Sequence, residues 1–504
     1  MTTQLFQRAV RCYGEGRLEQ ARTLCEQVLD TDPRNVDAVH LLGVIAQSSG
    51  QLDLAAELIG QSIRLAPGNP DAHFNLGMTL AEQGKLEAAA AALLRCLELA
   101  PRSAEAWQNL GEIYRALGRL EDMRAALEHC LAADPEFAGG YTGLGSTLEE
   151  LGDIDAAETA YRRAIALAPR HAPAHNNLGG VLLWQARVDE ALAAFRTAAL
   201  LRYDHGAPET QTHQVPGHRI RHDAEQVRHL QARGLLAPEF QEYAQRLADV
   251  ARRLNRDDTV AYGDGHHPEL APTFNRIVHC APGERIVGGV LSDELDVATI
   301  ERTYRSRDPA YIVVDGFLNG PALDGLRRYC LESTVWKKAY RSGYMSARIG
   351  HGFESPLLFQ VAEDLRKRFP GIFGEHRLRQ SWAFKYDSQL NGVGIHADFA
   401  AVNINFWITR DAANRDPDSG GLIVWDKASP ADWSFNDYNN NEPRIREFLR
   451  SSGAKAIRVP HRENRVVIFE STLFHETDRI DFHEGYENRR INVTLLYGKR
   501  LETT

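Results

Sequence analysis

The chain has 504 residues, is 43% hydrophobic and 25% charged, and carries a formal net charge of −10. That length exceeds a single core, and roughly 100–200 residues per domain gives two to four domains. The acidic balance disfavours nucleic acid as a partner; with no basic segment ahead of an apolar core and no run of about 18 apolar residues, the sequence reads as cytoplasmic, neither secreted nor membrane-spanning.

Residues 1–205 repeat with a period of 34. Six blocks begin at residues 2, 36, 70, 104, 138 and 172. Their eighth positions are all small: Ala9, Gly43, Gly77, Gly111, Gly145 and Gly179. The twentieth are Ala21, Ala55, Ala89, Met123, Ala157 and Ala191, and the thirty-second run Pro33, Pro67, Pro101, Pro135, Pro169 and then Tyr203, where the pattern stops. Small residues let two helix backbones approach, and a proline ends the second helix of each block. This resembles the tetratricopeptide repeat and implies an all-α superhelix of six antiparallel helix pairs. In that family, position six faces a concave groove that receives extended peptides. Here it carries Asn75, Asn109 and Asn177, interrupted by Leu41 and Gly143. An amide both donates to and accepts from a peptide backbone, so this row is the expected peptide groove; its alternative is a solvated helix surface. The segment holds 18 Lys+Arg and 27 Asp+Glu, a net of 18 − 27 = −9, nearly all of the chain's charge.

Residues 206–307 lose the period and read as a helical cap or linker. The run 222–255 has helical apolar spacing interrupted between Gly234 and Pro238. Histidines 213, 218, 222, 229, 266, 267 and 279 follow no consistent ligand spacing and read as surface or hydrogen-bonding residues. The six cysteines are far apart, without a C-x-x-C pair, and read as reduced thiols.

Residues 308–504 change to short β-type runs at 310–318, 379–387, 402–409, 420–426, 464–470 and 489–498, with helices near 320–334 and 355–369. Many short strands between Gly, Asp and Asn turns predict a sandwich or barrel. Within GIHADFAAVNINFW, His396 and Asp398 are two apart, so on a strand they share a face. His475, placed after the run NRVVIFE, is the expected third member. Two histidines and one carboxylate on one face of an octahedral metal leave positions open, as non-haem Fe(II) oxygenases require. Two other H-x-E pairs, His267/Glu269 and His461/Glu463, lie in loop-like stretches without a suitable later histidine and arginine.

Around the dyad stand alternating Trp382, Phe384 and Tyr386, the Gly420–Gly421 turn, His475, and Arg490 opening the last strand. This order resembles the 2-oxoglutarate/Fe(II)-dependent dioxygenases, nearest their prolyl-hydroxylase-like branch, over about residues 308–500. The resemblance implies a double-stranded β-helix (jelly-roll) domain with flanking helices. It also implies metal ligands His396, Asp398 and His475, and cofactors Fe(II), 2-oxoglutarate and O2, with ascorbate as an accessory reductant. Arg490 would hold the distal carboxylate of 2-oxoglutarate, and alternation along the strand favours it over Arg489. Tyr386 matches a tyrosine that helps hold the cosubstrate; Asn492, Asn405 and Trp407 are further candidates to line the pocket. The expected activity is hydroxylation of a protein or peptide recruited by the repeats. Two alternatives are an oxygenase acting on a small metabolite or carrier-bound group, and a catalytically inactive scaffold.

Overall fold

The computed structural model describes residues 2–203, 213–255, 258–262, 267, 270, 273–374, 376–390 and 392–499. The chain forms two compact units, Met1–Ala174 and His175–Thr504.

The first unit consists of five antiparallel helix pairs: Thr2–Gly14 with Leu18–Thr31, Val36–Ser48 with Leu52–Leu65, Pro70–Glu82 with Leu86–Leu99, Ala104–Ala116 with Leu120–Ala133, and Ala138–Leu151 with Ile154–Leu167. Position eight sets how close the partners come. A Cβ on Gly43, Gly77 or Gly145 would lie 2.6, 2.8 and 2.6 Å from Ile59, Leu93 and Tyr161, whereas on Gly111 it would have 3.5 Å to Leu127. The position-twenty residues Ala21, Ala55, Ala89 and Ala157 have no exposed surface. Asn35, Asn69 and Ser103 accept backbone N–H bonds at the starts of their helices, supplying partners that the first turn lacks.

The sixth pair, Ala172–Trp184 and Val188–Tyr203, lies almost wholly in the second unit. Phe195 stacks 6.4 Å from Phe359, and the Tyr203 hydroxyl is 2.6 Å from His351 Nδ1. The segment read as a helical cap or linker is packed here too. Its helices Gly217–Ala232 and Gln241–Arg252 bury Ile220, Val227, Leu230, Leu247 and Val250 in one cluster. Gln226 donates to the carbonyls of Leu331 and Ser333, and Glu225 pairs with Arg489 at 2.9 Å. The first helix begins five residues before 222, and a third, Val297–Arg305, lies beyond the run 222–255 in which the sequence showed helical spacing.

Among the described residues, ten strands build the two larger sheets of the β region: β1 Tyr311–Val314, β2 Lys338–Tyr340, β3 Tyr344–Arg348, β4 Leu378–Tyr386, β5 Val402–Trp407, β6 Leu422–Ala428, β7 Ala456–Val459, β8 Val466–Glu470, β9 Leu473–Thr477 and β10 Ile491–Tyr497; Gln389–Leu390 and Ile480–Asp481 pair separately. Seven form an antiparallel sheet in the order β1-β8-β5-β10-β4-β3-β2, and three form a second sheet, β7-β6-β9. Trp407, Val467 and Phe469 of the large sheet share a core with Leu422, Val424, Val459 and Leu473 of the small one, so the sheets pack face to face. Helices Gly320–Glu332 and Pro356–Arg368 occur where the sequence placed them; strands β2, β3, β7 and β9 were not anticipated.

Candidate metal centre

His396 and Asp398 converge, but not by strand alternation. The backbone over 392–401 forms no strand; His396 makes an isolated antiparallel bridge with His475, and Asp398 follows it in irregular chain. His475, expected after a strand, lies in the middle of β9. The bridge exchanges both backbone bonds, His396 N to His475 O at 3.0 Å and His475 N to His396 O at 2.8 Å. It is this pairing of two distant segments that brings the imidazoles together, their centroids 4.4 Å apart and their planes tilted by 50°.

The three side chains each present a ligand atom within 4.8 Å of the others, the only such grouping of three among the described residues. His396 Nε2 is 3.9 Å from Asp398 Oδ1, and His475 Nε2 is 3.5 Å from Asp398 Oδ2. Each Nδ1 faces a backbone carbonyl, Gly394 O at 2.9 Å for His396 and Leu473 O at 3.1 Å for His475. A carbonyl only accepts, so each Nδ1 carries the proton and each Nε2 turns its lone pair toward the centre. Burial, reinforced by the neighbouring His396, holds His475 well below the usual imidazole pKa, so it is neutral as a ligand must be. Burial raises the Asp398 carboxyl, against the opposing pull of His396 and Asn403. The donor set fits a divalent transition metal with open coordination positions.

From Asp398 a hydrogen-bonded row crosses the interior of the large sheet. Asn403 donates to Asp398, and Asn405 donates to Asn403 at 2.7 Å. Thr494 and Asn492 donate to Asn405 at 2.8 and 3.2 Å, and Arg490 Nη1 donates to Asn492 at 3.1 Å. Every bond points the same way, from the guanidinium at one end to the carboxylate at the other. The alternation of β5 and β10 puts these residues on one face, and all are buried. Asn403 was missed in the sequence, although a second asparagine two positions from Asn405 in an apolar strand was a usable signal.

Arg490 is 1% exposed. Its other donors reach the Gly420 and Gly421 carbonyls, and it lies 4.7 Å over the Tyr386 ring and 5.8 Å from that of Trp407. These partners are neutral, whereas a buried guanidinium needs negative charge to offset its lost hydration. Burial accordingly lowers its pKa from the usual arginine value. Arg489 faces the other way and is matched by Glu225 and Asp387. Tyr386 is buried, its hydroxyl 3.3 Å from Thr477 Oγ1. Gly420 adopts φ +77°, and a Cβ on Gly421 would lie 1.9 Å from the Val459 carbonyl, so this turn under Arg490 requires glycine.

His396 and Asp398 open onto a cavity of about 550 Å³ whose walls include Tyr340, Tyr344, Trp382 and Phe384. The competing pair His461/Glu463 diverges: His461 packs against Trp407 and Phe482 while Glu463 bonds Arg327. Glu269 and His266 lie outside the described residues. Of the asparagine row, Asn75 contacts His40 at 2.9 Å and Asn109 bonds its own helix at Glu105 O, both in the first unit. Asn177 falls in the second, beside Asn176 at 3.3 Å.

Comparison with known proteins matches the tetratricopeptide repeat family to residues 6–70, 40–102, 104–137 and 142–206. Residues 6–206 carry tetratricopeptide repeats. Similar solved structures include MamA at 25% identity, covering 34% of this chain and 93% of that one with a TM-score of 0.32. PilF of Pseudomonas aeruginosa matches at 20% identity, with 40% and 90% coverage and a TM-score of 0.36. YrrB, described as a tetratricopeptide protein with an unusual peptide-binding site, matches at 21% identity, with 34% and 88% coverage and a TM-score of 0.31. No curated protein matches the chain. Among the described residues no helix is long and apolar enough to cross a membrane.

Proposed function

We propose that the second unit is a 2-oxoglutarate/Fe(II)-dependent dioxygenase on a jelly-roll scaffold, hydroxylating a protein or peptide that the tetratricopeptide repeats recruit. The observation that carries this reading is the triad itself: two imidazoles with Nδ1 tied to carbonyls and Nε2 aimed at a buried carboxylate, beside a cavity. His396, Asp398 and His475 would hold the iron, which with 2-oxoglutarate and O2 supplies the oxidising power to hydroxylate a C–H bond, releasing succinate and CO2.

The remaining work belongs to the chain's own groups. Asn403 fixes the Asp398 carboxylate through one oxygen and leaves the other for the metal. Arg490, buried and hydrogen-bonded to neutral acceptors with Asp478 as a more distant charge, supplies a forked cation suited to a carboxylate of 2-oxoglutarate. Tyr386 beneath it supports the guanidinium through its ring and offers a hydroxyl. The aromatic walls exclude water and position the substrate. Calorimetric titration with Fe(II) or Co(II) under anaerobic conditions tests the reading. One metal per chain, lost in His396→Ala and His475→Ala, together with succinate release dependent on 2-oxoglutarate, is the expected result. Absence of metal binding, or binding that survives both substitutions, overturns it.

A further inference from the structure

Arg348, at the end of β3, lines two cavities. One is the cavity at the triad. The other, about 360 Å³, is walled in part by Arg219, Lys337, Lys338 and His351, with no aspartate or glutamate among its lining residues. Arg219 is engaged behind the cavity by Asp223 at 2.6 Å. The remaining cations have neutral partners. Lys337 Nζ donates to Arg276 O at 2.7 Å, Lys338 Nζ lies 4.9 Å over the Tyr340 ring, and Arg348 Nη2 meets the Tyr340 hydroxyl at 3.1 Å. Burial and the adjacent Arg219 push Lys337 down to about 7, against the opposing pull of Asp223.

An aromatic floor connects this basic cavity to the triad. Tyr344, Ser346 and Arg348 alternate on one face of β3 and stand opposite Tyr386, Phe384 and Trp382 of β4. Tyr340 stacks on Tyr344 at 4.4 Å, Phe384 meets Tyr344 edge-on at 5.6 Å, and Trp382 lies 6.4 Å from Phe384. From Tyr344 to Arg348 the strand runs roughly 13 Å, the reach of about four extended residues. Gln380, Asn439 and Asn440 line the triad cavity and offer amides that can both donate to and accept from a peptide backbone.

We propose that this face binds a peptide substrate through an acidic flank: the residue to be modified enters the triad cavity, the chain crosses the aromatic floor, and an aspartate or glutamate a few residues away enters the basic cavity past Arg348. The direction assigned to the peptide rests on the oxygenase reading of the triad. A peptide is favoured over a nucleic acid because the cationic track is short. A strand with a phosphate at every nucleotide would extend beyond it over a chain whose net charge is −10.

The test uses the full chain and fluorescence anisotropy with three fluorescein-labelled probes: hexaglutamate, hexaglutamine and a uridine hexanucleotide. Hexaglutamate is expected to bind at least about tenfold more tightly than hexaglutamine, and the double variant Lys338→Glu with Arg348→Gln to lose that preference. Lys338→Gln, a milder change at an exposed position, should give an intermediate loss, while Arg450→Gln, an exposed arginine paired with Glu447 and outside both linings, should change nothing. Equal binding of the two peptides, indifference to the double variant, or tighter binding of the hexanucleotide through the same two residues overturns the proposal. Co(II) titration of the wild-type protein separates the two readings. Loss of hexaglutamate binding in a chain that takes up Co(II) overturns the acidic flank alone. Failure to bind Co(II) overturns the oxygenase reading and, with it, the direction assigned to the peptide.

Discussion

The five helix pairs of the first unit and the β region of the second are stabilised on different length scales. In the array, each contact recurs 34 residues on, so Gly43 against Ile59 and Gly77 against Leu93 are the same local solution repeated. In the β region the decisive neighbours are distant in sequence: His396 pairs with His475, Asn405 receives Thr494, and Arg489 reaches Glu225. Repetition lets an array tolerate loss of a unit at one end, because stability is close to a sum of neighbour terms. A site assembled from five distant segments has no such tolerance.

The strongest way to break the comparison is at the triad. His396→Ala, Asp398→Ala or His475→Ala is expected to abolish metal uptake and reduce 2-oxoglutarate turnover by at least about 100-fold, since even partners behind metal ligands change affinity 10–100-fold. Metal analysis alongside succinate assays checks this, and full iron occupancy in any variant would contradict the assignment. Arg490→Ala is expected to raise the KM for 2-oxoglutarate steeply, by the equivalent of about 2–5 kcal/mol. Arg489→Ala, which breaks the pairs with Glu225 and Asp387, should lower the melting temperature with far less effect on that KM. The opposite ranking in steady-state kinetics would assign the cosubstrate to the other face of β10.

Truncation sharpens the boundary between the two regions. Deleting residues 1–174 should leave a folded second unit that still takes up metal and decarboxylates 2-oxoglutarate slowly, but turns over a recruited substrate poorly. Tethering typically raises apparent affinity about 10²–10⁴-fold. Deleting 1–205 also removes Phe195 from Phe359 and Tyr203 from His351, so that fragment should melt lower or aggregate. Equal melting temperatures would mean the sixth pair is dispensable to the second unit; an unchanged kcat/KM would mean that the array does not recruit substrate.

The smallest expected effects lie within the array. Gly77→Ala places a Cβ 2.8 Å from Leu93 and should cost about 1–3 kcal/mol by overpacking. Gly111→Ala has 3.5 Å of room and should be neutral or stabilising by up to about 1 kcal/mol, the helix propensity gained. Thermal denaturation of both variants measures the difference, and equal losses would mean that the pairs are equally tight.

Much of this was legible in the residues. A 34-residue period, small residues at positions eight and twenty, and a proline at thirty-two specify helix pairs through steric terms that act within one repeat, so the sequence alone determined the array. Two-residue alternation likewise put Arg490 and Arg489 on opposite faces of the strand, because a strand's pleat is local. What the sequence could not supply depended on pairing across the chain. His396 and Asp398 were expected to share a strand face, yet a bridge to His475 positions them. The middle segment reads from sequence only as a helical cap or linker; what it packs against, Glu225 on Arg489 and Gln226 on the Leu331 and Ser333 carbonyls, is not visible there. The sixth helix pair has the same period as the other five, but its grouping with the second unit depends on partners such as Phe359 and His351, more than 140 residues away in sequence. Period and alternation are properties of neighbouring residues, and the sequence displays them; which distant surfaces meet is decided by burial and hydrogen-bond satisfaction over the whole fold, and only the tertiary structure records that.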